Sequence, residues 1–328
     1  MMYYIRSKNY DASFNLALEQ YVFDELSSAH SYLMLWQNAN AIIIGKHQNT
    51  MEEINADYVK EHGIQVIRRL SGGGAVYHDM GNINFTFVTD AGGEAFDFAG
   101  FCYPVVKVLR SLGVNAEVSG RNDMTINGLK FSGNSQYIKK GRVMHHGTIL
   151  FDSDLTVVSE ALRVSKDKIK SKGIKSKRSL VTNVRPHMAG DCSAEQFLEI
   201  LEIGLKEQFE AQMLPGDGID IEKVRSLQRL VYGTWEWNYG SSPAYNIHRK
   251  RYFENVGKIE LYMEVVDGRV EAIAFFGDFF AVRDLNELEG KLIGLKLSEA
   301  SVRGALVHVS VDEYFRNLEM EDLLLLLL

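Results

Sequence analysis

The stretch Arg68-Arg-Leu-Ser-Gly-Gly-Gly-Ala-Val-Tyr-His-Asp79 joins two strand-like runs through three consecutive glycines. Such a turn presents backbone N–H groups without side chains, so an anionic ligand can approach them closely. Because neighbouring residues of a strand point to opposite faces, only one of Arg68 and Arg69 can line a pocket beside the turn. The stretch is neither a G-x-G-x-x-G fingerprint nor a P-loop, which argues against a Rossmann dinucleotide site. The alternative explanation of the glycines is a hairpin bulge.

Lys130 lies two residues after Gly128, within a stretch (residues 120–134) that contains many small and apolar residues. This pattern is typical of a partly buried strand. A lysine held there offers a compact positive charge that can reach a carboxylate and a phosphate together. The alternative is an ordinary lysine that faces solvent from a strand. The stretch therefore makes Lys130 a candidate binding or catalytic cation.

His145 and His146 are adjacent in the sequence Met144-His-His-Gly-Thr148. On a strand they face opposite ways, so a metal site that uses both is not expected. One of the two can orient the glycine-rich turn or a substrate. The alternative for either is a core histidine whose polar atoms are satisfied by neighbours.

The run from Arg163 to Arg178 contains eight basic residues and a single acid, Asp167. Gly173 and the interspersed serines favour a mobile loop over a solvated helix face. The whole chain has a net charge of −7, so this run of +7 leaves −14 on the other residues. A basic loop on an acidic body suits a phosphate-bearing intermediate or an acidic protein partner.

Composition limits the class of protein. The chain has 328 residues, 46% hydrophobic and 24% charged, which allows about two globular domains and excludes global disorder. The acidic balance argues against a general nucleic-acid or membrane-surface binder. Only Cys102 and Cys192 occur, no targeting segment is visible, and no apolar run reaches the ~18 residues of a membrane span. We therefore expect a cytoplasmic protein.

Hydrophobic periodicity predicts the elements around these motifs. Residues 12–26 are predicted to form a helix with Asp11 as its N-cap, and residues 31–36 and 41–44 a pair of strands. Further strands are predicted at 65–69, 75–77, 83–88, 124–126, 131–138 and 143–150, and further helices at 56–61, 98–112, 193–209 and 219–230.

The sequence changes character after residues 235–243. A hairpin is predicted from residues 258–265 and 270–276 around Val266-Asp-Gly-Arg269, and helices follow it. The chain is thus predicted to be an α/β (α+β) protein with a large domain at 1–246 and a small C-terminal domain at 247–328.

Several motifs follow one another along the whole chain. They are Phe14-Asn-Leu-Ala-Leu-Glu19, the stretch from Arg68 to Asn82, Gly120-Arg-Asn-Asp123 with Lys130-Phe-Ser-Gly133, His145-His-Gly-Thr148, Ser176-Lys-Arg-Ser-Leu-Val-Thr-Asn183, and Trp235-Glu-Trp-Asn-Tyr-Gly240. Together they resemble the lipoate-protein ligase family of the A type. Six motifs in the right order are highly specific, where any one of them is not. The resemblance implies a mixed-sheet catalytic domain like that of biotin and lipoate ligases, followed by a small α/β accessory domain.

The resemblance also implies a reaction in two steps. Lipoate and MgATP give lipoyl-AMP and pyrophosphate, and a lysine of an acceptor domain then attacks the mixed anhydride. The implied acceptors are apo-lipoyl domains of 2-oxoacid dehydrogenase complexes and the glycine-cleavage H protein. This reaction serves lipoate salvage and protein lipoylation, with no nucleic-acid or membrane partner. It leaves open whether lipoate or octanoate is preferred.

The implied site residues follow from the matching motifs. Lys130 would hold both the lipoate carboxylate and the α-phosphate, and Asp123 would position Mg²⁺ or the incoming lysine. The residues implied to contact ATP are Arg69, Gly74, Ala75, Val76, Tyr77 and Lys130, and those implied to contact lipoate are Lys130, Arg69, Gly73 and His146. The basic run would close over the adenylate and shield it from water.

Two alternatives stay open. An octanoyl- or lipoyl-transferase of the same fold would use a cysteine thioester, but Cys102 falls on the apolar face of a predicted helix and Cys192 has no nearby base. A non-catalytic lipoate-binding protein would not need Arg69, the glycine-rich turn and Lys130 intact. A biotin ligase is less favoured because its typical glycine–arginine loop is absent.

Overall fold

The computed structural model describes residues 1–91, 97–120, 122–162, 181–240 and 247–328. The basic run 163–178 falls outside these residues. Within them, the largest sheet has eight strands in the order β11-β1-β2-β6-β10-β9-β8-β7. The strands are β1 (Met2–Arg6), β2 (Ser31–Trp36), β6 (Asn82–Asp90), β7 (Ala116–Ser119), β8 (Asp123–Ile126), β9 (Leu129–Lys139), β10 (Arg142–Leu150) and β11 (Gln212–Met213). β1 runs parallel to its two neighbours and the other pairs are antiparallel, which confirms the prediction of a mixed sheet.

A second sheet has three strands in the order β4-β3-β5. They are β3 (Ala41–Ile44), β4 (Gln65–Arg68) and β5 (Val76–His78). The prediction that residues 31–36 and 41–44 pair with each other is wrong, because the two segments belong to different sheets. β1 and β6 occupy both edges of β2, so β3 pairs with β4 and β5 instead.

The α-helices of the described residues are α1 (Ala12–Asp24), α2 (Thr50–Glu53), α3 (Ala56–Glu61), α4 (Phe98–Ser111), α5 (Leu155–Ala161), α6 (Ala194–Phe209), α7 (Ile221–Leu227), α8 (Trp235–Asn238), α9 (Leu285–Leu292), α10 (Glu299–Ala305) and α11 (Met320–Leu327). Helices α4 and α6 cover one face of the large sheet and α1 lies on the other. Asp11 caps α1 by accepting the N–H of Phe14 at 3.0 Å, as predicted. Ser193 and Gln196 form a capping box at α6.

Strand β2 shows how the core is divided. Leu33 and Leu35 pack under α4 and α6, whereas the alternate residues Tyr32, Met34 and Trp36 pack against α1 and the second sheet. The face toward α1 is the one that carries the site described below. Among the described residues, none of the helices combines the length and hydrophobicity that a bilayer crossing demands.

The C-terminal part has its own sheet and core, formed by β12 (Ile247–Phe253), β13 (Gly257–Val266), β14 (Arg269–Gly277) and the helices α9 to α11. The predicted hairpin is present, and Asp267 and Gly268 both take positive φ at its turn (49° and 74°). Leu323, Leu324, Leu326 and Leu327 of the leucine-rich helix α11 are buried in this core. The exact division at residue 246 stays a prediction.

Candidate active site

A cavity of about 700 Å³ opens between the α1-side face of the large sheet, the glycine-rich turn and the C-terminal part. The sequence-predicted residues that line it are Arg69, Gly73, Gly74, Ala75, Val76, Asp123, Lys130 and His146. Tyr77 does not line it: its side chain packs on the other side of β5, where its hydroxyl donates to Asn40 Oδ1 at 3.0 Å. Burial raises the pKa of Tyr77 to about 12.

Arg69 braces the glycine-rich turn from inside. Its Nη2 donates to the carbonyls of Gly72 and Gly74, at 2.5 and 2.9 Å, and its Nε donates to Ser71 Oγ at 3.1 Å. The side chain is only 5% exposed. Burial lowers the pKa of Arg69 to about 10, which still leaves it charged at neutral pH. A fixed cation therefore lies directly behind the turn.

Arg68 points the opposite way and has a structural role. Its guanidinium donates to the carbonyls of Gly45 and Gln48, at 2.9 and 2.7 Å, and to those of Trp237 and Asn238 in α8, at 2.9 and 3.2 Å. These bonds tie β4 to the Trp-Glu-Trp-Asn segment. The prediction that only one of the two arginines lines the pocket is thus confirmed.

The C-terminal part packs directly on the turn. The Gly73 N–H donates to the carbonyl of Phe279 at 3.3 Å. A Cβ atom at Gly72 would lie 2.2 Å from the same carbonyl oxygen, so a side chain cannot be accommodated there. At this point the glycines permit backbone-to-backbone approach between the two parts of the chain.

Lys130 and Asp123 form an ion pair across β9 and β8, with 2.6 Å between Nζ and Oδ1. The Lys130 Nζ lies over Gly133 of the same strand, 3.1 Å from the position that a Cβ of Gly133 would take. The backbone of Lys130 also accepts the N–H of Thr182 at 2.8 Å, just beyond the basic run. The ammonium is therefore held at the cavity wall in a defined position.

His146 connects the turn to helix α1. Its Nδ1 lies 2.9 and 3.0 Å from the two carboxylate oxygens of Glu19, and its Nε2 lies 2.6 Å from Ser71 Oγ. Because a carboxylate can only accept, Nδ1 donates to Glu19, and in the neutral ring Nε2 accepts from the Ser71 hydroxyl. The resulting chain, Glu19–His146–Ser71–Arg69, ends at the guanidinium behind the turn.

Glu19 is a site residue that was not predicted from the sequence. It is 2% exposed and also accepts the hydroxyl of Thr86 at 2.7 Å. The sequence does contain an indication of its role. Asn15 and Glu19 lie four residues apart and put two polar side chains on the apolar side of an amphipathic helix.

His145 faces away from the site, as predicted for the neighbour of His146. Its ring stacks on Phe101 with 4.8 Å between centroids, and its Nδ1 is 3.0 Å from Gln136 Nε2. Burial lowers the pKa of His145 well below its ordinary value, so it is a neutral core histidine.

Neither cysteine has the environment of a nucleophile. Cys102 is fully buried in the core, and burial raises the pKa of its thiol to about 12. Partial burial and the nearby Asp191 also raise the pKa of Cys192. Neither residue lines the cavity. Cysteine thioester chemistry is therefore disfavoured.

The described residues contain no group of three or more histidine, cysteine, aspartate or glutamate side chains that could hold a metal ion. The carboxylate of Asp123 at the cavity wall is already paired with Lys130. Any divalent ion here would need most of its ligands from a bound substrate and water.

A mixed sheet with a braced glycine-rich turn and a paired lysine facing one cavity is the arrangement of an acyl-activating ligase domain. A family profile described as the lipoyl protein ligase A/B catalytic domain matches residues 11–206, and one described as the bacterial lipoate protein ligase C-terminus matches residues 242–327. The chain belongs to the lipoate-protein ligase family, whose members are enzymes that form an amide linkage.

Curated relatives agree over nearly full length. The chain is 44% identical to lipoate-protein ligase LplJ of Bacillus subtilis, with 98% of this chain and 99% of that protein covered. It is 41% identical to lipoate–protein ligase 1 of Staphylococcus aureus, with 97% of each covered.

Solved structures show the same architecture. The crystal structure of Plasmodium falciparum LipL1 in complex with lipoate superposes with a TM-score of 0.82 at 25% identity, and covers 97% of this chain and 96% of that one. A crystal structure of lipoate-protein ligase A bound with ATP superposes with a TM-score of 0.59 at 25% identity, and covers 73% of this chain and 98% of that one.

Proposed function

We propose that this chain activates lipoate with ATP to give lipoyl-AMP and pyrophosphate, and then transfers the lipoyl group to the lysine of an acceptor domain with release of AMP. The observation that carries the proposal is that the Lys130 ammonium and the turn held by Arg69 line one cavity. A carboxylate and a nucleotide phosphate would meet between them.

In this proposal the Lys130 ammonium stabilises the negative charge that develops during both steps. Carboxylate attack on the α-phosphate and amine attack on the mixed anhydride both develop negative charge on oxygens around the α-phosphate. A fixed ammonium stabilises that charge more in the transition state than in the ground state. No covalent enzyme intermediate is needed, so orientation by the surrounding residues supplies the rest of the catalysis.

Arg69 and the backbone of Gly74, Ala75, Val76 and Tyr77 would bind ATP. The guanidinium of Arg69 already holds the carbonyls of the turn, so its contribution is to keep the turn in place and to supply positive charge behind it. The side chain of Tyr77 lies away from the cavity, which leaves its backbone for this role.

Lipoate would bind with its carboxylate at Lys130 and with Arg69, Gly73 and His146 along its chain. The apolar part of the cavity is formed by Leu16, Trp36 and Ile43, which suits an acyl chain. His146 cannot move independently, because Glu19 and Ser71 hold both of its ring nitrogens.

Mg²⁺ is expected to arrive with ATP, since this ion is commonly bound by one or two carboxylates together with substrate phosphates and water. Asp123 is the carboxylate beside Lys130, and it would supply one ligand to the Mg²⁺ ion. The ion would neutralise charge on the phosphates. In the second step Asp123 would instead lie near the incoming lysine.

The acceptors would be apo-lipoyl domains of 2-oxoacid dehydrogenase complexes and the glycine-cleavage H protein, met in the cytoplasm. One structural neighbour at 26% identity and a TM-score of 0.61 belongs to an archaeal lipoylation system that includes an E2 lipoyl domain. The basic run 163–178 suits an acidic partner, an inference that depends on its charge alone.

We also propose that the catalytic domain ends at residue 246 and that the C-terminal domain begins at residue 247.

The test is to incubate the protein with ATP, Mg²⁺, lipoate and a purified apo-lipoyl domain, and to follow the acceptor by mass spectrometry. Gain of one lipoyl group that requires ATP is expected. Modification that instead requires an acylated donor, and is blocked by thiol alkylation, would favour the cysteine transferase. The Cys102→Ala and Cys192→Ser variants check that point, and both should remain active in the ligase.

A further inference from the structure

One row of side chains crosses the floor of the cavity from strand to strand. Trp36 lies opposite Asn84, and Asn84 lies opposite Thr148. Thr148 accepts the N–H of Gly133 at 3.2 Å, and Gly133 lies opposite Asp123. Residues directly opposite each other share one face of a sheet, so the row forms a continuous floor from β8 to β2.

The width of this floor sets a length scale. The Lys130 ammonium lies over Gly133 on β9. Strands are about 4.8 Å apart, so Asn84 lies roughly 10 Å from Gly133 and Trp36 roughly 14 Å. An extended chain of eight carbons measures about 9 Å, given C–C bonds of about 1.5 Å. A carboxylate at Lys130 thus puts the far end of an eight-carbon acid next to Asn84.

Two polar atoms at this far end have no hydrogen-bond partner among the described residues. They are Nε2 of His78 and Nδ2 of Asn84, and each side chain is only 2% exposed. Both residues line the cavity, and the His78 ring lies 6.2 Å from the Trp36 ring in an edge-on arrangement. Asn84 Oδ1 accepts from Asn82 Nδ2 at 2.9 Å, and Asn82 Oδ1 is also without a partner among the described residues.

A hydrogen-bond chain from α1 fixes the proton on His78. Asn15 Nδ2 donates to the carbonyls of Asn9 and Gln37, at 2.8 and 2.9 Å, which identifies it as the amide nitrogen. Asn38 Oδ1 lies 2.9 Å from the same atom and shares one of its two hydrogens. Asn38 Nδ2 therefore faces His78 Nδ1, at 3.1 Å, and Nδ1 must accept. In the neutral ring the proton is then on Nε2.

We propose that the His78 Nε2–H and the Asn84 Nδ2–H bind a hydrogen-bond acceptor at the far end of the acyl chain, and that they thereby select lipoate over octanoate. This inference rests on the proposed function. The dithiolane ring of lipoate ends in sulfur atoms, which accept hydrogen bonds weakly. The methyl end of octanoate accepts none and would leave two buried donors unpaired, which is costly.

The sharpest comparison needs only the wild-type protein. Lipoate, octanoate and cyclopentylpentanoate, which is the all-carbon isostere of lipoate, are compared as substrates of ATP–pyrophosphate exchange. We expect kcat/KM for lipoate to exceed that for the isostere by about tenfold or more. The reason is that the isostere has no sulfur atoms and leaves the two buried N–H donors unpaired. Equal values for lipoate and the isostere would overturn the inference, because the two differ only in the sulfur atoms.

Variants assign the effect to the two side chains. His78→Leu and Asn84→Leu should each reduce the ratio of lipoate to isostere several-fold, whereas His78→Gln keeps an N–H donor near the Nε2 position and should restore much of it. Thr89→Val, at the other end of β6, is the matched control and should leave the ratio at its wild-type value. An unchanged ratio in folded His78→Leu and Asn84→Leu would overturn the assignment. Absence of exchange with all three acids would overturn the proposed function itself.

Discussion

Lys130 Nζ and Asp123 Oδ1 lie 2.6 Å apart, on neighbouring strands at the wall of the cavity. Their side chains are 38% and 33% exposed, so the pair adds little to stability. Its effect is positional, because the carboxylate holds a flexible four-carbon side chain over Gly133. The pair also places a carboxylate and an ammonium where the two reactions of the proposed ligase would take place.

Replacing Lys130 with methionine should reduce lipoate-dependent ATP–pyrophosphate exchange by at least about 100-fold, because the transition-state charge loses its fixed cation. Lys139→Met is the matched control, since Lys139 lies at the other end of β9 and pairs with Asp24 at 3.7 Å. It should retain nearly full exchange. Substantial exchange by Lys130→Met would show that another group supplies the charge.

Glu19→Gln should weaken the chain of bonds that runs through His146 and Ser71. The buried carboxylate would become a neutral amide, whose new N–H group would face Nδ1–H without an acceptor. We expect the free energy of unfolding to fall by roughly 1–3 kcal/mol in urea titrations, together with a rise in KM for lipoate. Glu25→Gln, just beyond the end of α1 and exposed, is the control. Equal effects of the two changes would contradict a special role of Glu19.

Arg68→Lys should destabilise the protein although it conserves charge. A lysine cannot reproduce the fork of bonds to the carbonyls around Gly45 and Asn238, so several buried acceptors lose a donor. A loss of roughly 3 kcal/mol or more is expected in chemical denaturation. Arg185→Lys, at an exposed ion pair with Asp152 and Asp191, should leave the midpoint nearly unchanged. A stable Arg68→Lys protein would refute this account.

Gly72→Ala should disturb the contact between the turn and the C-terminal part. The added methyl group would lie 2.2 Å from the Phe279 carbonyl oxygen, so the backbones must separate. A cost of roughly 1–3 kcal/mol is expected from thermal or urea unfolding. Gly190→Ala, where nothing lies within 4 Å of the new atom, is the control. If both variants unfold alike, the contact is not as tight as described.

Stability should fall as the pH falls below about 6.5, in part because of His47. Its ring stacks on Phe279 at 4.9 Å, and burial lowers the pKa of His47 to about 3. Between about pH 6.5 and 3, His47 therefore binds a proton in the unfolded chain but not in the folded chain. Each such histidine adds a slope of about 1.4 kcal/mol per pH unit to the unfolding free energy.

His47→Gln should lack that slope, so the unfolding free energies of wild type and variant should converge by about 1.4 kcal/mol per pH unit as the pH falls, in urea titrations at pH 6.5, 5.5 and 4.5. The exposed His62→Gln serves as the comparison and should keep the wild-type slope. A variant slope equal to that of wild type would mean that His47 is accessible to protons in the folded protein.

The sequence predicted those features that depend on local pattern. Asp11 is a helix cap, Asp267 and Gly268 make the hairpin turn, and Arg68 and Arg69 face opposite sides. Each follows from the two- or four-residue geometry of a strand, a turn or a helix end. For the same reason the sequence identified the glycine-rich turn and Lys130 as places where an anion could bind.

Features that depend on distant partners were missed. Residues 31–36 and 41–44 have strand-like patterns, but nothing local indicates that Met2–Arg6 occupies one edge of the first strand. Glu19 becomes part of the site only through His146, which lies 127 residues away. The unpaired atoms of His78 and Asn84 depend on the strand register across the whole sheet. Such relationships are set by topology rather than by periodicity.

The bond from Gly73 N–H to the Phe279 carbonyl has a thermodynamic consequence. A single N–H has one hydrogen to give, so a ligand oxygen that takes it competes with that carbonyl. Competition of this kind is reciprocal: occupation of the turn weakens the attachment of the C-terminal part by the same factor by which that attachment weakens occupation of the turn. The two parts of the chain are thereby linked through one amide proton.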